Sequence, residues 1–268
     1  MLLLGERGSG KRSLIREINS KHVLGRNKEM PVEKMGSDFS ALDFSFLYVK
    51  DLTDSENLSQ VVTSEDNLPK INIWSLQDSN RGELLQEVIK PAALDRTTAV
   101  IVLDLDKPGD VMEQLKAWMA ALSKCLFNLF PQMETGAFDK MKQKIITHVK
   151  TYEEPQIDEH GKLIRKGRKE EKKRDQGEDD GSEDSEVEDV RVEMPLPPGV
   201  LKVNLGIPIM VICNKIDLLQ SSGEKSKFLE ENLDFIQKHV REYSLQYGAT
   251  VMCTSAKSNQ DRNLDTLY

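Results

Sequence analysis

Cysteine is scarce in this 268-residue chain: Cys125, Cys213 and Cys253 are the three, and they lie far apart. That spacing excludes a disulfide framework and the paired cysteines of a structural zinc site. Histidine is scarce too, and His22, His148, His160 and His239 are scattered, so no metal-ligand cluster is expected. No apolar run approaches the roughly 20 residues of a membrane span, and the opening "MLLL" is too short for the apolar core of a signal peptide. A soluble protein of a reducing, cytoplasmic compartment is expected, with no membrane insertion. A basic excess is also missing. The net charge is −8, but residues 175–189, "DQGEDDGSEDSEVED", hold nine acids and no base, and without them the remainder stands at +1. A near-neutral body offers no footing for nucleic acid or an anionic membrane.

What is present is enough apolar residue, 38%, for one domain of ordinary size with an insertion. Short apolar runs predict strands at Leu2–Leu4, Phe44–Val49, Ile71–Leu76, Ala99–Leu105, Pro208–Cys213 and Thr250–Thr254. Several are apolar throughout, as in strands covered on both faces. Helical patterns lie between them: one from Lys11, others over 81–93, 111–127, 137–151 and 228–247. In the last, Leu229, Leu233, Ile236, Val240, Tyr243 and Tyr247 form one stripe, as do Phe138, Met141, Ile145, Val149 and Tyr152 in the helix before. Strands alternating with helices predict an α/β fold, a mostly parallel sheet between helical layers.

Residues 151–195 break the alternation. A basic half, "KLIRKGRKEEKKR" (162–174), precedes the acidic tract. With so few aromatic or branched apolar residues, a disordered charged insertion is expected. The plain reading is a solvated loop; a regulatory reading rests on Ser182 and Ser185, which lie among acids, and on a basic half suited to the acidic microtubule surface. The single domain over 1–268 is expected to be truncated at both ends, since four residues precede Gly5 and the last helix has barely begun at "NLDTLY".

Residues 5–11, "GERGSGK", fit G-x-x-x-x-G-K. Gly5, Gly8, Ser9 and Gly10 would let successive backbone N–H groups face phosphate oxygens. Lys11 would reach the β- and γ-phosphates, and the following helix offers its positive end. After the strand at 208 comes "NKID" (214–217). Asp217 can accept from the ring N–H and amino groups of guanine, Asn214 can support the loop, and the stem of Lys215 can lie along the base. After the last strand comes "TSAK" (254–257), where backbone N–H near Ala256, flanked by Ser255 and Lys257, would meet the guanine carbonyl. Three such motifs, each at the carboxyl end of a predicted strand, point to a GTPase-type Ras-like P-loop fold.

The parts that hold metal and direct hydrolysis are missing. A Ser or Thr hydroxyl should follow Lys11, but Arg12 stands there, and Ser13 is displaced by about 100° around the helix. A D-x-x-G element should follow "INIWSL", but Gln77 stands at the Asp position and Asp78 is one residue late. Phosphoryl transfer depends on positioning and metal electrostatics, so no catalytic or metal-ligating residue is assigned. Arg12 is expected either to neutralise phosphate directly, giving nucleotide binding without magnesium, or to point to solvent over an empty pocket. The competing expectation is an active GTP-hydrolysing switch.

The stretches "LLLGERGSGKRSLIREI" (2–18), "LDFSFLYVKD" (42–51), "VLDLDKPGDVMEQLKAWM" (102–119), "LGIPIMVICNKIDLL" (205–219) and "DFIQKHVREYSLQYGATVMCTSAK" (234–257) resemble the light intermediate chain family of cytoplasmic dynein. Family members usually carry Thr at the position of Arg12 and Asp at that of Gln77. The resemblance implies a non-catalytic motor subunit that binds the dynein heavy-chain tail beside other dynein subunits, on microtubules in the cytoplasm. A guanine nucleotide, GDP or GTP, would act there as a buried cofactor. Cargo adaptors would be recruited by a C-terminal region not represented in these residues. The light intermediate chain of the ciliary retrograde dynein is the neighbouring alternative.

Overall fold

The structure, a computed structural model, describes residues 1–22, 40–48, 70–152, 156–157, 163–164, 195–217 and 226–256. Its elements are β1 (Leu2–Leu4), α1 (Lys11–His22), β2 (Leu42–Tyr48), β3 (Lys70–Leu76), α2 (Leu84–Val88), β4 (Ala99–Asp104), α3 (Val111–Leu129), α4 (Ala137–Lys150), β5 (Gln156–Ile157), β6 (Leu163–Ile164), β7 (Ile209–Asn214), α5 (Ser226–Leu245) and β8 (Thr250–Cys253). One six-stranded sheet runs β2-β3-β1-β4-β7-β8. Within this sheet the edge strand β2 runs antiparallel to β3, and the other pairings are parallel.

The apolar strands are apolar throughout because each feeds two cores. Along β4, Ala99, Ile101 and Leu103 enter a core with α3, whereas Val100 and Val102 face Leu14 and Ile15 of α1 together with Leu3 and Ile73. This is the period-two alternation of a strand with both faces covered. Helix α3 buries Val111, Leu115, Trp118, Met119, Leu122, Cys125, Leu126 and Leu129 on its sheet side. From α5, Ile236 and Val240 close the same layer. The edge strand is wetter: Phe44 is exposed and tilts against Trp74, its register partner, with ring centroids 4.7 Å apart.

Three expectations need correction. The helix over 81–93 is broken into a 3-10 turn at Ser79–Arg81, the five-residue α2 and a second 3-10 segment at Pro91–Arg96. Pro91 disfavours helical geometry in the residue before it, and Lys90 is extended. Tyr152 leaves the stripe of α4, which ends at Lys150, and is 63% exposed. Within the stretch expected to be unstructured, β5 and β6 pair antiparallel, Gln156 with Ile164 and Ile157 with Leu163, using its few branched apolar residues; residues 165–194 lie outside the described ones. Cys213 and Cys253, 40 positions apart in sequence, are register partners across β7 and β8, and both are free thiols. Among the described residues no helix is long and apolar enough to cross a membrane.

Candidate functional site

Parallel pairing sends the carboxyl ends of β1, β4, β7 and β8 to one edge of the sheet, where ligands bind in folds of this type. Four loops therefore meet: Gly5–Gly10 after β1, the turn after Asp104, residues 215–217 after Asn214, and 254–256 after Cys253.

The glycine loop is shaped by two close approaches. Gly10 has φ +89°, and a Cβ there would strike the side-chain amide of Asn214. A Cβ at Gly5 would lie 2.5 Å from the carbonyl oxygen of Val102. Neither position accepts a side chain without movement of its neighbour. Lys11, buried at the start of α1, turns its ammonium back into this loop. It donates to Gly5 O at 2.6 Å, Glu6 O at 2.9 Å and, more weakly, Ser9 Oγ at 3.4 Å. Burial lowers its pKa to about 8, only partly offset by Glu6. An anion entering the loop would offer this ammonium a stronger acceptor than the carbonyls it now uses.

Asn214 joins the three motifs. Its amide donates to Ser9 O at 2.9 Å, its Oδ1 accepts from Thr254 Oγ1 at 3.3 Å, and it is 1% exposed. Backbone bonds reinforce the junction, from Thr254 N to Cys213 O at 2.9 Å and from Ile216 N to Thr254 O at 3.2 Å. Lys215 takes φ +65° and donates to Asp104 Oδ2 at 2.6 Å, while Asp104 Oδ1 accepts from Asp106 N at 3.0 Å. Asp217 is oriented by Ser255, whose hydroxyl donates to Oδ1 at 2.7 Å. Ala256 follows at the edge of the described residues, and Lys257 lies outside them.

Arg12 makes a contact that the sequence did not suggest. It does not stand over solvent: its guanidinium donates to Asp43 Oδ2 at 3.0 Å, across to β2. Gln77, at the end of β3, donates to the same oxygen at 2.8 Å. Ser13 is exposed, and Asp78 caps its own 3-10 turn by accepting from Asn80 N at 2.9 Å. The residues present therefore do not fit a magnesium site of the GTPase type. The hydroxyl ligand is a guanidinium, the D-x-x-G carboxylate is an amide, and Asp78 is spent locally. No group of three or more His, Cys, Asp or Glu among the described residues is placed to hold a metal ion. A cavity of about 940 Å³ lies elsewhere, between the ends of α4 and α5, Pro195–Val200 and β8.

The model of the family described as dynein light intermediate chain matches residues 1–268. The chain belongs to the dynein light intermediate chain family. It is 28% identical over 269 residues to cytoplasmic dynein 1 light intermediate chain 1 of Homo sapiens, covering 100% of this chain and 44% of the human one. It is 26% identical over 272 residues to the protein of that name from Dictyostelium discoideum, covering 95% of this chain and 50% of that one. The chain thus spans about half the length of these relatives. A crystal structure of the dynein light intermediate chain's conserved domain superposes with a TM-score of 0.59 at 20% identity, covering 99% of this chain and 70% of that one. The fold is accordingly Ras-like.

The sequence motifs mark the loop, Asn214 and Asp217 but not Asp43 and Asp104. Both sit in strands whose neighbours are apolar, "LDFSF" and "IVLDL". A lone carboxylate in an otherwise apolar strand was the available signal, since such a charge needs a partner.

Proposed function

We propose that this chain is the Ras-like domain of a non-catalytic light intermediate chain. It would bind the heavy-chain tail of cytoplasmic dynein, beside other dynein subunits, and support cargo transport along microtubules. The family match over the whole chain carries this reading. The naming of the relatives after cytoplasmic dynein 1 favours the cytoplasmic motor over the ciliary one. Cargo adaptors are assigned to regions of such subunits beyond these residues. The loop, with Lys11 facing its own carbonyls and Asn214 tying it to Thr254, is proposed to hold a guanine nucleotide as a structural ligand, with Asp217 reading the base. Such a ligand at a hundredfold its Kd would add about 2.7 kcal/mol to stability. Hydrolysis is not proposed, because the groups that place magnesium and water are replaced.

A tagged pull-down of the full-length protein from its own cells tests the subunit reading. Heavy and intermediate chains of dynein in stoichiometric amount are expected. Nucleotide-exchange factors in their place, together with GTP turnover abolished by Lys11→Ala, would establish a switch instead.

A further inference from the structure

The two departures from the GTPase pattern, Arg12 and Gln77, are 65 positions apart in sequence but meet on one atom. Asp43 is 4% exposed. Its Oδ2 accepts from Arg12 at 3.0 Å and from Gln77 at 2.8 Å. Its Oδ1, also buried, has no hydrogen-bond partner among the described residues. Burying a carboxylate this deep is costly unless a cation and donors compensate it. Arg12 supplies the cation and Gln77 the second donor. Each replacement makes sense only with the other. An Asp at 77 would set two carboxylates around one guanidinium; a Thr at 12 would leave Asp43 without its ion-pair partner.

The backbone adds to the junction. Asp43 is the register partner of Ser75, and Gln77 N continues the ladder to Ala41 O at 3.1 Å. The first turn of α1, the start of β2 and the end of β3 are thus joined by groups belonging to the chain. In a metal-dependent nucleotide site, a divalent ion and its ligands would bridge these segments.

We infer that Arg12, Asp43 and Gln77 form a built-in replacement for the divalent cation, which ties the phosphate loop's helix to β2 and β3 permanently and leaves the loop to take its phosphate ligand as the free anion. The second half rests on the nucleotide reading above; the first does not. The ligand class is a nucleoside polyphosphate not complexed to magnesium. Its charge would be met by Lys11 and the loop N–H groups, with Arg12 engaged by Asp43.

Two measurements test this separately. Affinity for a fluorescent guanosine diphosphate is measured with excess magnesium and with EDTA. The native protein should change by less than about twofold, whereas a metal-dependent site changes by tenfold or more, about 1.4 kcal/mol per decade. Tenfold tightening by magnesium in the native protein overturns the replacement. Arg12→Thr combined with Gln77→Asp, if folded by circular dichroism, should gain that dependence; a folded variant still indifferent to magnesium also overturns it. Independently, Arg12→Met, Asp43→Asn and the two combined are unfolded in urea without nucleotide. The combined variant should be hardly less stable than the worse single one, because the partners act as a unit. Additive losses overturn the cluster. If the native protein binds nucleotide in neither medium, the nucleotide reading and the free-anion half fail together, and the urea cycle still decides whether the cluster ties the segments.

Discussion

Asn214→Ala should cost this domain more than any other polar truncation at the sheet edge. The side chain is 1% exposed and lies against Gly10, where no Cβ fits. Truncation strips the partner from Ser9 O, bonded at 2.9 Å, and from the buried hydroxyl of Thr254, bonded at 3.3 Å. A buried group left without its hydrogen bond costs about 1–3 kcal/mol; the long Thr254 contact belongs at the bottom of that range. The space vacated beside Gly10 adds a smaller packing loss. The sum is about 2–4 kcal/mol, against a total stability of about 5–15 kcal/mol for a native protein. Melting should fall by about 5–15 °C, given some 2–4 °C per kcal/mol at this size. The assay is urea unfolding without nucleotide, with the slope unchanged so that the midpoint reports stability alone. Asn214→Asp, nearly the same shape, should be at least as damaging, because it sets a buried carboxylate against the Ser9 carbonyl. A loss below about 1 kcal/mol for Asn214→Ala, within the range of an ordinary surface substitution, would refute the view that this residue pins the loop.

Asp217→Ala, which removes the acceptor held by Ser255, should weaken guanosine diphosphate binding at least tenfold while changing inosine diphosphate binding less, since inosine lacks the amino group; equal losses for both would refute base reading. Lys11, lowered to about 8 by burial, carries its proton in folded and unfolded states below that pH, so the folded state bears the cost of burying the charge. Between about pH 8 and 10.5 the folded protein sheds the proton and the unfolded chain keeps it. Stability relative to Lys11→Met should therefore rise across that window, by no more than about 3 kcal/mol; a flat difference in urea midpoints from pH 7 to 9.5 would refute it. Trp118→Ala, at a fully buried position in α3, should cost about 3–5 kcal/mol, measured the same way. Deleting residues 165–194, rich in charge and poor in apolar residues, should leave the melting temperature within a degree or two, in keeping with sites outside a core; a large fall would show that the segment packs.

The strands were legible because burial on both faces writes a continuous apolar run, and each of the six predicted runs is a strand within a residue or two. Helices α3, α4 and α5 were legible from stripes three and four apart. The helix expected over 81–93 is broken because a helical spacing of apolar residues carries no information about Pro91, which stops the helix locally. The small β5–β6 pairing escaped notice because two residues per strand carry no period.

The sequence by itself settled the phosphate-loop motif and the order of the main strands and helices, since these rest on local signals: the spacing of glycines before Lys11 and the apolar period of each element. Only the tertiary structure decided what the charges do. Arg12 meets Asp43 31 positions away and Lys215 meets Asp104 111 positions away, so neither pairing leaves a mark in any local window. A guanidinium looks the same in sequence whether it awaits a phosphate, faces water or compensates a buried carboxylate. The sheet brought Arg12 and Asp43 together by carrying β2 and β3 to the first turn of α1, where a buried carboxylate is costly without a compensating cation.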